Sequence, residues 1–200
     1  MREIESFVDE IDGIRSSGYL NEGASLQQVK SIEEYLSVEL PDQVLSLYKK
    51  CNGELESEED DFAGIFLDLR LISLDQVIAY HKRLSSLDEG GSGDNSSDVE
   101  SVPPGFVRAK FFDRKWMPIA VGDSSLYMAV DFSPGELGQR GQVILFGRDL
   151  APYVIRVSSD LRGVFEELML CMNRASRSSS GVNISDISFL EYLENKFLED

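Results

Sequence analysis

Residues 116–146, WMPIAVGDSSLYMAVDFSPGELGQRGQVILF, constrain the fold more than any other stretch of this chain. Met117, Ile119 and Val121 alternate with neighbouring residues at the two-residue period of a half-buried strand. Gly122-Asp123-Ser124-Ser125 supplies turn chemistry. Leu126, Met128 and Val130 then alternate with Tyr127, Ala129 and Asp131 as a second strand folded back on the first. A Pro/Gly loop over 133–141 leads into a third apolar run, Val143-Ile144-Leu145-Phe146. Three strands joined by turns in so short a span make an antiparallel meander, and other elements must cover it.

Those covering elements are helical. Ile4, Phe7, Val8, Ile11 and Ile14 recur at helical spacing over 3–15, with acids on the outer face. A second helix is expected from Ser25, where Ser25 and Gln28 form a capping-box pair ahead of Leu26, Val29, Ile32 and Leu36. Pro41 suits the first position of a third helix, which carries Val44, Leu45, Leu47, Tyr48 and Cys51; Gly53 suits its left-handed exit. Residues 62–72 are expected as strand. Ser73 with Gln76 caps a helix whose apolar face carries Leu74, Val77, Ile78, His81 and Leu84. His81 lacks a companion nucleophile or acid motif, so the expectation is a packed, hydrogen-bonded histidine. Residues 87–105 are rich in Gly, Ser, Asp and Pro and are expected as a flexible insertion. A fourth strand over 153–157 precedes a helix capped by Ser158 or Ser159, with Leu161, Val164, Phe165, Leu168 and Met172 on its face. Residues 173–181 are expected to break that helix. A last amphipathic helix, capped by Ser185 or Ser188, carries Ile187, Leu190, Leu193 and Phe197; it is expected to dock back on the domain.

Charge narrows the partners. The chain has 200 residues and a formal net charge of −17. Residues 1–100 carry 8 Lys and Arg against 23 Asp and Glu, whereas 101–200 carry 11 against 13. Such a field repels nucleic acid and anionic membranes and attracts basic proteins. The run Glu54, Leu55, Glu56, Ser57, Glu58, Glu59, Asp60, Asp61 holds six acids in eight residues and is either a solvated loop or a docking surface. It lacks the spaced oxygen ligands and turn glycine of a calcium loop. Arg108, Lys110, Arg114 and Lys115 stand beside Phe111, Phe112 and Trp116, but four cations make a poor nucleic-acid footprint on so acidic a chain. With one histidine and two distant cysteines, Cys51 and Cys171, no metal cluster is expected, and the thiols are expected buried and reduced. No run approaches a membrane span and the first residues are not a secretory signal, so a cytoplasmic protein is expected. No nucleophile elbow, phosphate loop or acid/base pair points to an enzyme.

The order of pieces resembles the SMI1/KNR4 family of the SUKH superfamily. The resemblance rests on Ile32-Glu33-Glu34-Tyr35-Leu36, Glu39-Leu40-Pro41-Asp42-Gln43-Val44, and Tyr48-Lys49-Lys50-Cys51-Asn52-Gly53. It continues in Leu71-Ile72-Ser73-Leu74-Asp75-Gln76-Val77, Trp116-Met117-Pro118-Ile119-Ala120, Val130-Asp131 and Gly141-Gln142-Val143. Together these span about residues 25–172. The resemblance implies an α+β fold: a central, mostly antiparallel sheet of about four to six strands flanked by helices. Length and composition lead to the expectation of one domain over 1–200, with 87–105 as a flexible insertion and 183–200 as an appended helix. The resemblance also implies no enzyme activity, and the residues themselves lead to the expectation of no cofactor. Two roles follow. The first is an immunity-type protein that binds and neutralises a cognate toxin, often a nuclease, whose basic surface an acidic protein would cover. The alternative is an intracellular regulatory or scaffolding protein that binds a host protein. Partner contacts are expected at Glu54, Glu56, Glu58, Glu59, Asp60 and Asp61, then at Asp113, Asp123 and Glu136. Pro41, Gly53, Trp116 and Asp131 match family positions with structural roles: Trp116 as packing, Asp131 as the group that fixes a turn at the strand end. The departures from the family pattern are the 87–105 insertion, the last helix and Asp123-Ser124-Ser125 after Gly122.

Overall fold

Six strands form one sheet in the order β1-β3-β4-β5-β6-β2. They are β1 (Arg70–Leu71), β2 (Glu100–Val102), β3 (Trp116–Val121), β4 (Leu126–Asp131), β5 (Gln142–Gly147) and β6 (Tyr153–Ser158). The computed structural model describes residues 20–55, 64–90, 99–122, 125–178 and 187–198. The meander is present as β3-β4-β5, with Trp116 opposite Asp131 and Asp131 opposite Gln142. Every pairing is antiparallel except that of β2, which runs parallel to β6 at one edge. This is the expected α+β class, with five helices among the described residues: α1 (Leu26–Leu36), α2 (Asp42–Lys50), α3 (Leu74–Gly90), α4 (Leu161–Ser178) and α5 (Phe189–Phe197).

The half-buried reading of β3 and β4 is corrected: every residue of both strands is buried. Side chains alternate across a strand, so continuous burial means that both sheet faces are covered. Tyr80 of α3 meets Tyr127 edge-on at 6.1 Å, while α4 lies against β5 and β6. The aromatic heart is Trp116, whose ring sits 5.1 Å from Phe146 and 6.2 Å from Phe112.

Local chemistry sets the helix ends. Ser25 and Gln28 exchange their capping-box bonds at α1, and Ser73 with Gln76 does the same at α3. Pro41 stands one position earlier than expected, as the residue before α2, where its carbonyl accepts from Leu45 N at 3.0 Å. Helix α2 ends at Lys50, and Gly53 follows with φ +86; a Cβ there would lie 2.5 Å from Ser73 N, so only glycine fits. Asp160, not Ser158 or Ser159, bonds the first turn of α4, accepting from Gly163 N at 3.0 Å. Of the two serines proposed for α5, Ser188 caps it.

Three expected segments differ. In 64–72 only Arg70–Leu71 is strand; the backbone before it doubles back through bridges between Gly64 and Leu67 and between Phe66 and Leu69. Leu67 takes φ +61 there, which an extended strand does not. Within 87–105, α3 continues to Gly90 and Glu100–Val102 joins the sheet, so part of that stretch is regular structure. Helix α4 likewise continues through the expected break to Ser178. The N-terminal helix expected over 3–15 lies outside the described residues.

Candidate functional site

Glu54, the first of the six acids, points inward. It is 2% exposed, and its Oε1 accepts from Ile65 N at 2.7 Å and Leu71 N at 3.1 Å. The carboxylate thus closes the base of the 54–65 excursion, tying the returning chain to β1. Its Oε2 is buried without a hydrogen bond among the described residues. A Cβ on Gly64 would come within 2.9 Å of that oxygen, so glycine makes room for it. Burial pushes the carboxyl up to about 7, against the pull of both amides and of the Arg70 charge. A side chain so placed does not present its charge to a partner, which corrects its assignment as a docking acid. Glu56, Glu58, Glu59, Asp60 and Asp61 lie outside the described residues.

A second carboxylate organises one end of the sheet. Asp131 is fully buried; Oδ1 accepts from Ser133 N at 2.8 Å and Oδ2 from Gln142 Nε2 at 2.8 Å. The same Gln142 amide nitrogen donates to Phe106 O at 2.8 Å, tying the 103–115 loop to the meander. Burial raises the Asp131 pKa, and both donors oppose the rise. The indole of Trp116 adds to that opposition from the facing strand, although its N–H makes no hydrogen bond of normal geometry. Asp113 is also buried: Oδ1 accepts from Lys115 N at 2.9 Å and Oδ2 pairs with Lys110 at 3.2 Å. It shapes the loop rather than facing solvent. Asp123 lies outside the described residues, and Glu136 is exposed on the 132–141 loop. Trp116 packs in the aromatic core, and Asp131 holds the Ser133 amide just past the end of β4.

His81 is wired between elements. Its Nε2 lies 3.0 Å from Arg114 O, and a carbonyl only accepts, so Nε2 carries the proton. In the neutral ring Nδ1 is then the acceptor for Tyr35 OH at 3.0 Å. Burial lowers the His81 pKa, and the Arg114 and Lys115 charges lower it further. Lys115 Nζ reaches across to the last carbonyls of α1, at 2.5 Å from Leu36 O. These bonds join α1, α3 and the 106–115 loop on a surface where Tyr35 and Phe111 remain exposed. Tyr35 and Lys115 were not singled out as contacts by sequence reasoning; their positions in the Ile32–Leu36 motif and the basic stretch were the available signal.

Among the described residues, no three His, Cys, Asp or Glu side chains are placed to hold a metal ion. Asp113 and Asp131 spend their oxygens on backbone and side-chain donors, and Glu54 spends one of its two. These are groups that fix loops. No helix among the described residues is long and apolar enough to cross a membrane.

Comparison with known proteins adds the context. The description of the SMI1 / KNR4 family (SUKH-1) matches residues 23–167, from the entry to α1 through the first turns of α4. The chain is similar to the cell wall assembly regulator SMI1 of Saccharomyces cerevisiae, 27% identical over 159 residues, covering 65% of this chain and 32% of that protein. It is similar to the cell wall biosynthesis/cell cycle regulator smi1 of Schizosaccharomyces pombe, 30% identical over 136 residues, covering 64% of this chain and 27% of that protein. A shorter match, 40% identical over 50 residues, covering 25% of this chain and 9% of that protein, is to a glucan synthesis regulatory protein of Neurospora crassa. The chain spans about a third or less of the length of these relatives. None of these names is enzymatic, and they correct the toxin-immunity expectation: the relatives are regulators of cell wall assembly and glucan synthesis, which favours the regulatory alternative. With the family match running across the sheet and its covering helices, this chain belongs to the SMI1/KNR4 family.

Proposed function

We propose that this chain is an intracellular, non-enzymatic regulatory module that acts by binding a host protein in control of cell wall assembly. The observation that carries this reading is the match to two fungal regulators over nearly two thirds of the chain, alongside a family match over residues 23–167. The organisation of the fold supports it: its buried carboxylates and histidine hold loops in place and are not gathered around a reacting centre. The formal charge of −17 suits a basic protein partner and disfavours a polyanion such as nucleic acid. In this reading the docking acids are those outside the Glu54 clasp, Glu56, Glu58, Glu59, Asp60 and Asp61 with Glu136. Their charge steers encounter more than it adds affinity.

The test is capture of the tagged full chain from its own cells after brief crosslinking, at low and at high salt, read by quantitative mass spectrometry. The expected result is one host protein recovered reproducibly, less of it at high salt, which re-forms the complex when both components are purified. Recovery no greater than from a tag-only control at either salt would overturn the reading.

A further inference from the structure

Helix α5 lies beyond the matched family segment, which ends at residue 167, yet its docking is specific. Asp68, on the turn before β1, grips its N-terminus. Oδ1 accepts from Phe189 N at 3.0 Å; Oδ2 accepts from Leu190 N at 3.2 Å and from the Ser188 hydroxyl at 2.6 Å. Ser188 Oγ in turn accepts from Glu191 N at 3.0 Å. The first turn of α5 is thus capped jointly by its own serine and by an aspartate from another element, which suits the positive end of a helix. Further along, Glu167 of α4 accepts from Tyr192 OH at 2.9 Å and pairs with Lys196 at 2.6 Å. Phe189 and Leu193, one helical turn apart, are fully buried between these two grips. Cys171 of α4 lies beneath, its Sγ 3.8 Å from Ser188 O, and is itself buried.

We propose that α4 and the 64–69 turn form a helix-binding groove in which α5 sits as a strap in cis, and that a partner helix of the same chemistry competes for it. The partner is defined by what α5 presents: a capping hydroxyl ahead of the first turn, apolar residues at the first and fifth helical positions, and a cation at the eighth. Two carboxylates, Asp68 and Glu167, read the cap and the cation; the groove between them takes the apolar pair. The grips are polar and partly exposed and only two side chains are fully buried, which places the strap at the low-stability end of the fold, where local opening occurs. This deepens the regulatory reading by naming a surface and a partner type. Its test needs no cellular partner, so the two stand or fall separately.

The test uses the full chain and the Cys171 thiol as reporter. Cys171 is 3% exposed, with the Ser188 carbonyl of the strap over its Sγ, so alkylation requires the strap to leave. Leu193→Asp disables the strap without touching the groove. It is expected to speed maleimide labelling of Cys171 by about tenfold or more, with the buried Cys51 unchanged as the control for an intact fold. A fluorescent peptide of residues 187–198 should bind this variant, restore Cys171 protection, and bind wild type at least about tenfold more weakly, because the tethered helix competes at high effective concentration. Adding Asp68→Asn should abolish peptide binding. Where Cys51 also becomes reactive, the milder Lys196→Gln, which removes the strap's ion pair and leaves the groove intact, replaces Leu193→Asp, with the same expectations at smaller amplitude. A peptide that neither binds nor protects Cys171, or a Cys171 equally slow in wild type and variant, would overturn the proposal.

Discussion

Two buried carboxylates organise this molecule, and they differ in how completely they are satisfied. Asp131, in the middle of the family motif, receives a hydrogen bond on each oxygen, and its main donor, Gln142, holds a second loop with the same nitrogen. Glu54, at the root of the acidic run, receives two amides on one oxygen and no hydrogen bond on the other among the described residues. A buried charge costs free energy in proportion to what is left unpaired. Asp131 therefore acts as a structural rivet, whereas the hold of Glu54 on the Ile65 and Leu71 amides is expected to depend on pH.

The comparison breaks in several ways, each read by urea unfolding. Trp116→Ala removes the fully buried aromatic beside Asp131 and is expected to cost about 4 kcal/mol, because the cavity is walled by Phe112 and Phe146 and cannot collapse. Asp131→Ala leaves the Ser133 amide unpaired and takes from Gln142 one of its two acceptors, and is expected to cost about 3 kcal/mol. Glu54→Gln should act with the opposite sign. A carboxyl whose folded pKa is raised from 4.5 to about 7 favours folding below the lower value and loses that contribution as pH rises through the upper one. The amide variant should therefore be more stable than wild type by about 3 kcal/mol at pH 8 and indistinguishable near pH 4. A wild-type stability that does not fall between those pH values would contradict the inward placement of Glu54. Tyr35→Phe deletes the bond to His81 and should cost about 1 kcal/mol. Glu136→Gln, on an exposed loop, should change stability by less than about 0.5 kcal/mol while weakening salt-sensitive partner capture.

Much of the architecture was legible in the sequence because it rests on local signals. The alternation in 116–146 gave the meander, and Ser25/Gln28 and Ser73/Gln76 marked two helix starts to the residue. What escaped depends on partners distant along the chain. Glu54 looked like one of six solvated acids, since the amides that turn it inward belong to Ile65 and Leu71. The sheet's two-sided burial depends on where α3 and α4 fall, which strand periodicity does not encode. The grip of Asp68 on α5 joins residues about 120 positions apart. Function was half legible for a related reason. The motif residues that carry the family resemblance, Gly53, Trp116 and Asp131 among them, are buried residues of the framework. Residues that hold a framework do not say what it binds; the names of the matched fungal relatives favour the regulatory reading.

The measurement that bears most directly on the central claim is parallel capture from crosslinked cells with wild type and with a variant carrying Glu56→Gln, Glu58→Gln, Glu59→Gln, Asp60→Asn and Asp61→Asn. A regulatory module steered by its acidic run should recover a host protein as wild type and several-fold less of it as the variant, with Glu54 and the fold untouched. Equal recovery would remove the acidic run as the docking surface, and enrichment of nothing by either protein would contradict the account of a partner-binding regulator.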